Sequence, residues 1–142
     1  MKIKEVKNFD IKVYDAIVRL LPQLTTSKPP TKKHFKKILK SKDAYFFIAK
    51  EDKEIIGTLL LISFNTLCGN RYWIEDVIID EAHRDKGFGK ELTEYAINFA
   101  KSLGAEAINL TSQPARIAAN QLYQKLGFTK IETNFYRFYV NK

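Results

Sequence analysis

Residues 81–102 read EAHRDKGFGKELTEYAINFAKS, a charged turn that becomes a helix with one apolar face. Leu92, Tyr95, Ala96, Phe99, Ala100 and Leu103 recur at three and four residues, and Gly104 stops the pattern. Gly87 and Gly89 stand where this helix has to nucleate, with Arg84 and Lys90 on either side. A glycine costs a helix about 1 kcal/mol relative to alanine, so a pair of them at a helix start calls for a reason. Glycines let the backbone turn sharply and remove the Cβ that would block a close approach. The first N–H groups of a helix have no partner of their own and point outward. Together with the helix dipole and Arg84 they suit a phosphate; with no ligand, the same residues make an ordinary tight loop.

Working outward, VIID at 77–80 ends a β-branched and aromatic run, RYWIEDVIID at 71–80. Before it, AYFFIAKED at 44–52 and KEIIGTLLLISF at 53–64 read as strands joined by the turn EDKE, and NTLCGN reads as the next turn. KIKEVKN at 2–8 can open a sheet at its edge. Ile11, Tyr14, Ile17, Val18 and Leu21 share a helical face after Asp10, and a second helix begins near Thr31 with Phe35, Ile38 and Leu39 on one side. Downstream, AEAINLTS at 105–112 reads as a strand. PARIAANQLYQKLG at 114–127 is a helix with Pro114 in its first turn, and FTKIETNFYRFYV at 128–140 is a closing strand. The expected order is β-α-α-β-β-β-α-β-α-β, an α/β chain with a mixed sheet and helices on its faces.

At 142 residues with 45% hydrophobic content, the chain is expected to form a single domain over 1–142. Its longest apolar run, IIGTLLLISF, is too short to span a bilayer, and no apolar core follows the N-terminal lysines as in a signal peptide. Cys68 is the single cysteine, so neither an intrachain disulfide nor a metal cluster is expected, and a cytoplasmic setting is the default. Residues 1–60 carry 14 of the 24 Lys/Arg against 7 of the 16 Asp/Glu, so the net charge of +8 belongs to the N-terminal half. The excess is densest in SKPPTKKHFKKILKSK at 27–42. Such a face either meets an anionic partner or keeps the protein in solution.

Two phosphate motifs are missing: there is no G-x-x-x-x-G-K-[ST] loop, and the dinucleotide fingerprint lacks its third glycine. Arg84, Gly87 and Gly89 match [Q/R]-x-x-G-x-[G/A]; Asn120, Tyr123, Gly127 and Phe128 match a second block, an Asn followed by a Tyr and then Gly-Phe. With this element order, the chain resembles the GNAT superfamily of acetyl-coenzyme A-dependent N-acetyltransferases over nearly its whole length. The resemblance implies that the coenzyme A pyrophosphate sits on the loop formed by Arg84, Asp85, Lys86, Gly87, Phe88, Gly89 and Lys90. It implies that two parallel strands splay, so that the pantetheine arm lies like an added strand against Val77, Ile78 and Ile79. Asn120 would bond the cofactor arm or strand backbone. The implied partners are acetyl-CoA and an amine acceptor; a homodimer is compatible with this reading, and neither a membrane nor a metal is called for.

Acetyl transfer needs a neutral amine, a donor for the carbonyl oxygen and a proton for the leaving thiolate. Glu75 stands where many members of this family place a base, and a bulge in the strand would exchange it with Asp76; an ion-pairing role is the plain alternative for both. Tyr123 is the implied proton donor to the sulfur, with core packing as its alternative, and a backbone N–H near Val77 would receive the oxyanion. His34 and His83 have no metal-spaced partners. The lysines of 28–42 suggest a small amine carrying phosphate or carboxylate, or an acidic protein terminus. A nucleic-acid module would interleave aromatics with its basic residues, whereas Phe35 stands alone in the run. A coenzyme A-binding sensor without turnover is the other alternative.

Overall fold

A computed structural model describes residues 1–141, which divide into two compact units, the first ending at Thr111 and the second starting at Ser112. The first unit is built on a five-stranded sheet in the order β1-β2-β3-β4-β5. Its strands are β1 (Lys2–Val6), β2 (Ala44–Glu51), β3 (Glu54–Thr66), β4 (Gly69–Ile79) and β5 (Ile108–Asn109). The first four pair antiparallel, and β5 joins β4 in parallel. The helices of this unit are α1 (Ile11–Leu20), α2 (Lys32–Lys40) and α3 (Phe88–Ser102). Asp10 caps α1 by accepting from the Lys12 N–H at 2.8 Å, and Thr31 caps α2 by accepting from His34 N–H at 3.1 Å.

The alternation of β2 sorts the two cores. Phe46 and Ile48 face α1 and α2, in a cluster with Val13, Ile17, Phe35 and Leu60. Tyr45 and Phe47 face α3, with ring centroids 5.0 Å from Phe99 in each case. Edge-on aromatic pairs at such distances contribute roughly 0.5–1.5 kcal/mol beyond their buried area. Both sheet faces are thereby covered, which is why β2 and β3 read as nearly unbroken apolar runs.

Four expectations about element limits need correction. NTLCGN is mostly strand: β3 runs to Thr66 and β4 begins at Gly69, leaving Leu67 and Cys68 as the turn. AEAINLTS yields a strand only at Ile108–Asn109, paired with Tyr72 and Trp73. The ladder stops there because β4 carries a bulge just beyond, and a bulge bends its strand and increases its twist.

In the second unit α4 (Ile117–Lys125) starts after a Pro114–Ala115 turn closed by Arg116 N–H to Gln113 C=O at 3.0 Å, so Pro114 precedes the helix instead of lying in its first turn. Its end is tied by the Phe128 N–H donating to Tyr123 C=O at 3.0 Å across Gly127, whose φ is +99°. The fourth correction is the closing strand. Residues 128–139 form no strand, and Ile131, Phe135, Tyr136, Phe138 and Tyr139 are exposed. Apolar alternation supplies strand propensity, but a strand exists only where a ladder is made, and none of the five strands pairs with this segment.

Candidate active site

The decisive irregularity is the bulge in β4. Ile74 pairs with Leu61, on the α3 face, whereas Ile78 pairs with Thr58, on the α1–α2 face. Three steps along β4, from Glu75 to Ile78, match two along β3, from Leu60 to Thr58, so the side-chain parity switches between Ile74 and Ile78. Asp76 absorbs the extra residue with a left-handed φ of 52°, a region that Asp and Asn tolerate better than most residues. The Thr58 hydroxyl donates to the Asp76 carbonyl at 3.2 Å and pins the bulge.

This switch sends Asp76 into a cavity of about 360 Å³ between the sheet, α1 and α2. Ile17, Leu21, Phe35, Phe46, Leu60 and Ile78 give it apolar walls. Asp76, Thr58, Lys28 and His34 supply polar groups, and Glu75 does not line it. Burial holds the Asp76 carboxyl above the usual carboxylate range, and pushes Glu75 the same way, with the charge of Asp76 as a second cause. Both side chains keep solvent access, which limits the size of that push. Lys33, Lys36 and Lys37 stay outside the cavity; Lys36 instead stacks on Phe9, 4.7 Å from the ring centroid.

Past Trp73 the β5 side of β4 has no strand partner among the described residues, so Val77, Ile78 and Ile79 lie on an opened edge. Gly57 faces Ile79 across the β3 side, where a Cβ would come within 2.8 Å of the Ile78 carbonyl oxygen. Beyond Ile79 the chain makes a 3₁₀ turn and then the glycine loop. Gly87 caps α3 with φ +81°, and the Glu91 N–H is the first to bond back, to the Gly87 C=O at 3.1 Å. The N–H groups of Phe88, Gly89 and Lys90 therefore head the helix without helical partners. Gly89 lies inside the helix, so of the two glycines Gly87 carries the unusual backbone, and Asp85 adds a second left-handed residue at φ 63°.

Arg84 does not stand free over this loop. Its Nε–H donates to the Ile79 carbonyl at 2.9 Å, and its guanidinium reaches the Gln23 side chain at 3.4 Å. Gln23 also accepts from the Glu81 N–H at 2.9 Å and donates to Asp80 at 3.3 Å, while Arg19 binds Asp80 at 2.7 Å. Burial raises Asp80, but its bonds from Ala82, Gln23 and Arg19, with the charge of Arg19, outweigh this and leave the carboxyl below its ordinary range. Residues near the C-terminal end of α1 thus hold the loop, which local patterning gave no sign of. His83 approaches Glu54 at 3.5 Å and, with Asp80, forms a small group of possible metal ligands, of which Asp80 is already committed to Arg19.

In the second unit Tyr123 is buried and packs edge-on against Phe128 at 5.8 Å. Burial raises its phenol above the ordinary value, with Arg116 opposing, so the hydroxyl keeps its proton at neutral pH. The Asn120 amide donates to the carbonyls of Gln113 and Arg116 at 2.9 and 2.8 Å, leaving its oxygen as the free end. Ser112 carries a buried hydroxyl oxygen with no hydrogen-bond partner among the described residues.

The Acetyltransferase (GNAT) family model matches residues 12–128. The chain belongs to the GNAT family. Members are acyltransferases that use acetyl-CoA as cosubstrate. Among the GNAT relatives, the chain is 33% identical over 101 residues to the uncharacterized N-acetyltransferase YhdJ of Bacillus subtilis (strain 168), a match covering 68% of this chain and 69% of the relative. It is 29% identical over 93 residues to human N-acetyltransferase 8B, covering 64% of this chain but only 41% of that protein. The fold is similar to that of the aminoglycoside acetyltransferase meta-AAC0020 from an uncultured soil metagenomic sample, with a TM-score of 0.86 over 99% of this chain and 96% of that one. At 20% identity, that likeness speaks to the fold. Among the described residues no helix is long and apolar enough to cross a membrane.

Proposed function

We propose that residues 1–142 are one N-acetyltransferase domain that moves the acetyl group of acetyl-CoA directly to a primary amine. The observation that carries this is the bulge in β4: one irregularity places a partly desolvated, solvent-reachable carboxylate at a cavity and precedes a strand edge with no strand partner among the described residues. An extended, amide-bearing arm can add to that edge as a strand does, with Val77, Ile78 and Ile79 as its partners. The loop from Arg84 to Lys90 receives the pyrophosphate on the unpaired N–H groups at the head of α3. Arg84, bonded to Ile79, holds the loop's backbone as well as lending charge.

The amine enters from the cavity and attacks the thioester carbon as a neutral nucleophile. Asp76 takes the proton that the amine sheds, directly or through water, a role for which it is better placed than Glu75 because it lines the cavity. The Val77 N–H receives the negative charge developing on the carbonyl oxygen. The C–S bond then breaks, the electron pair leaves with sulfur, and Tyr123 gives the thiolate its proton. Asn120 contributes its free amide oxygen to the cofactor arm. Free thiol release from acetyl-CoA, followed over a panel of primary amines, tests the reading. Amine-dependent release is expected; coenzyme A binding with no release on any amine would make the protein a sensor instead.

A further inference from the structure

The lysine-rich segment suggested an anionic acceptor, and the cavity describes a different one. Its walls come from α1, α2, β2, β3 and β4 and from the 21–30 segment, which adds Thr25 and Ser27 at one side; the sheet and helix side includes Phe35 and Leu60, both buried members of the α1–α2 core. The core part of these walls is formed before any ligand arrives, since core side chains keep close-packed positions. Asp76 is the single carboxylate among the lining residues. A polycation would seat one ammonium there and press the others against hydrocarbon, where an unpaired charge loses its hydration without compensation. A phosphate would find only solvent-screened charge: of the lysines at 28–42 only Lys28 reaches the lining, and both it and His34 are exposed. Lys32 lies over the Tyr14 ring at 5.8 Å, Lys36 over Phe9, and neither lines the cavity. The volume of about 360 Å³ is near the small end of ligand sites, which span roughly 300–1,000 Å³.

Resting on the acetyltransferase reading, we propose that the acceptor is a small primary amine with an apolar body, a single aromatic ring or a short alkyl chain, whose amino group meets Asp76 while the body lies along Ile17, Phe35, Ile38 and Leu60. The binding contribution then comes from hydrocarbon. Each methylene added to the acceptor is worth about fourfold in kcat/KM, the equivalent of ~0.8 kcal/mol, until the cavity is full.

The test uses the full chain with acetyl-CoA and the series propylamine to hexylamine, 2-phenylethylamine, spermidine and glucosamine 6-phosphate. Thiol release gives kcat/KM, and calorimetry on the protein with coenzyme A gives amine binding without turnover. A rise of about fourfold per methylene, with spermidine and the sugar phosphate at least roughly tenfold below phenylethylamine, is the expected result. Ile38→Gln should raise KM for hexylamine several-fold and leave KM for acetyl-CoA unchanged; the second constant reports that the variant folds. Graded binding of alkylamines without thiol release would keep the inference and remove the enzyme reading. A flat methylene series, a preference for the hydrophilic amines, or no alkylamine binding at all would overturn the inference; turnover of any amine would leave the enzyme reading standing.

Discussion

Asp76→Asn separates the catalytic from the structural role of the bulge. Asparagine is nearly isosteric and accepts the left-handed φ of 52° as readily as aspartate does, so the bulge and the Thr58 bond to its backbone should persist. General base catalysis contributes roughly 10²–10⁴ in rate, or about 2.7–5.5 kcal/mol at 1.36 kcal/mol per decade. Solvent reaches this carboxylate, so water can replace part of its work, and the loss in kcat/KM should lie near the lower limit, about a hundredfold. The effect on stability has the opposite sign. Because the folded-state pKa is raised, the folded protein binds more protons than the unfolded chain between the two pKa values, and stability falls as pH rises through that window. At neutral pH the wild type therefore bears the full cost of the ionised carboxylate, and the asparagine variant should melt higher, with the difference vanishing in acid. The assays are thiol release against pH and thermal unfolding at pH 7 and pH 3. In the wild type, the acid limb of kcat/KM should fall above the ordinary carboxylate range, and it should disappear in the variant. Activity within about fivefold of wild type on a good acceptor, or a lower melting temperature at pH 7, would refute the assignment.

Tyr123→Phe keeps the ring against Phe128 and removes the hydroxyl; coenzyme A binding should hold while turnover drops roughly ten- to a thousandfold, and near-normal turnover would make the residue a packing group. Gly87→Val forces a β-branched residue to φ +81°, so it should abolish the melting shift given by acetyl-CoA, whereas Gly89→Ala, inside the helix, should fold without strain; measuring both shifts separates backbone geometry from steric access to the phosphates. Arg19→Met leaves the buried Asp80 short of its ion pair. A broken buried pair costs about 3–5 kcal/mol, reduced here to roughly 1–3 because the Arg19 side chain is 44% exposed. Since Asp80 is depressed in the folded state, that stability is present above the unfolded pKa of about 3.9 and is lost as pH falls through the lower folded value; urea unfolding at pH 7 and pH 3 should show the variant's deficit shrinking in acid.

The sequence alone determined what local chemistry dictates. The helical period from Leu92 to Leu103 and the stop at Gly104 needed only side-chain spacing, and α3 lies there. The caps at Asp10 and Thr31 and the apolar runs of β2 and β3 are equally local, because a cap bond or a two-sided burial pattern is written within a few residues. Tertiary structure decided whatever depends on a neighbour. The parity switch at Asp76 exists only against the register of β3, so which carboxylate enters the cavity could not be read from the pair Glu75–Asp76 by itself. The same bend ends the β5 ladder after two residues, although 105–112 has the composition of a longer strand. Gln23 and Arg19 are far in sequence from the loop they hold, and their spacing obeys the period of α1, not the geometry of the phosphate site. The lysines of α2 were conspicuous as charge. Their side chains lie over Tyr14 and Phe9 or outside the cavity, because a helix that gives Phe35, Ile38 and Leu39 to the core turns its lysines away from it.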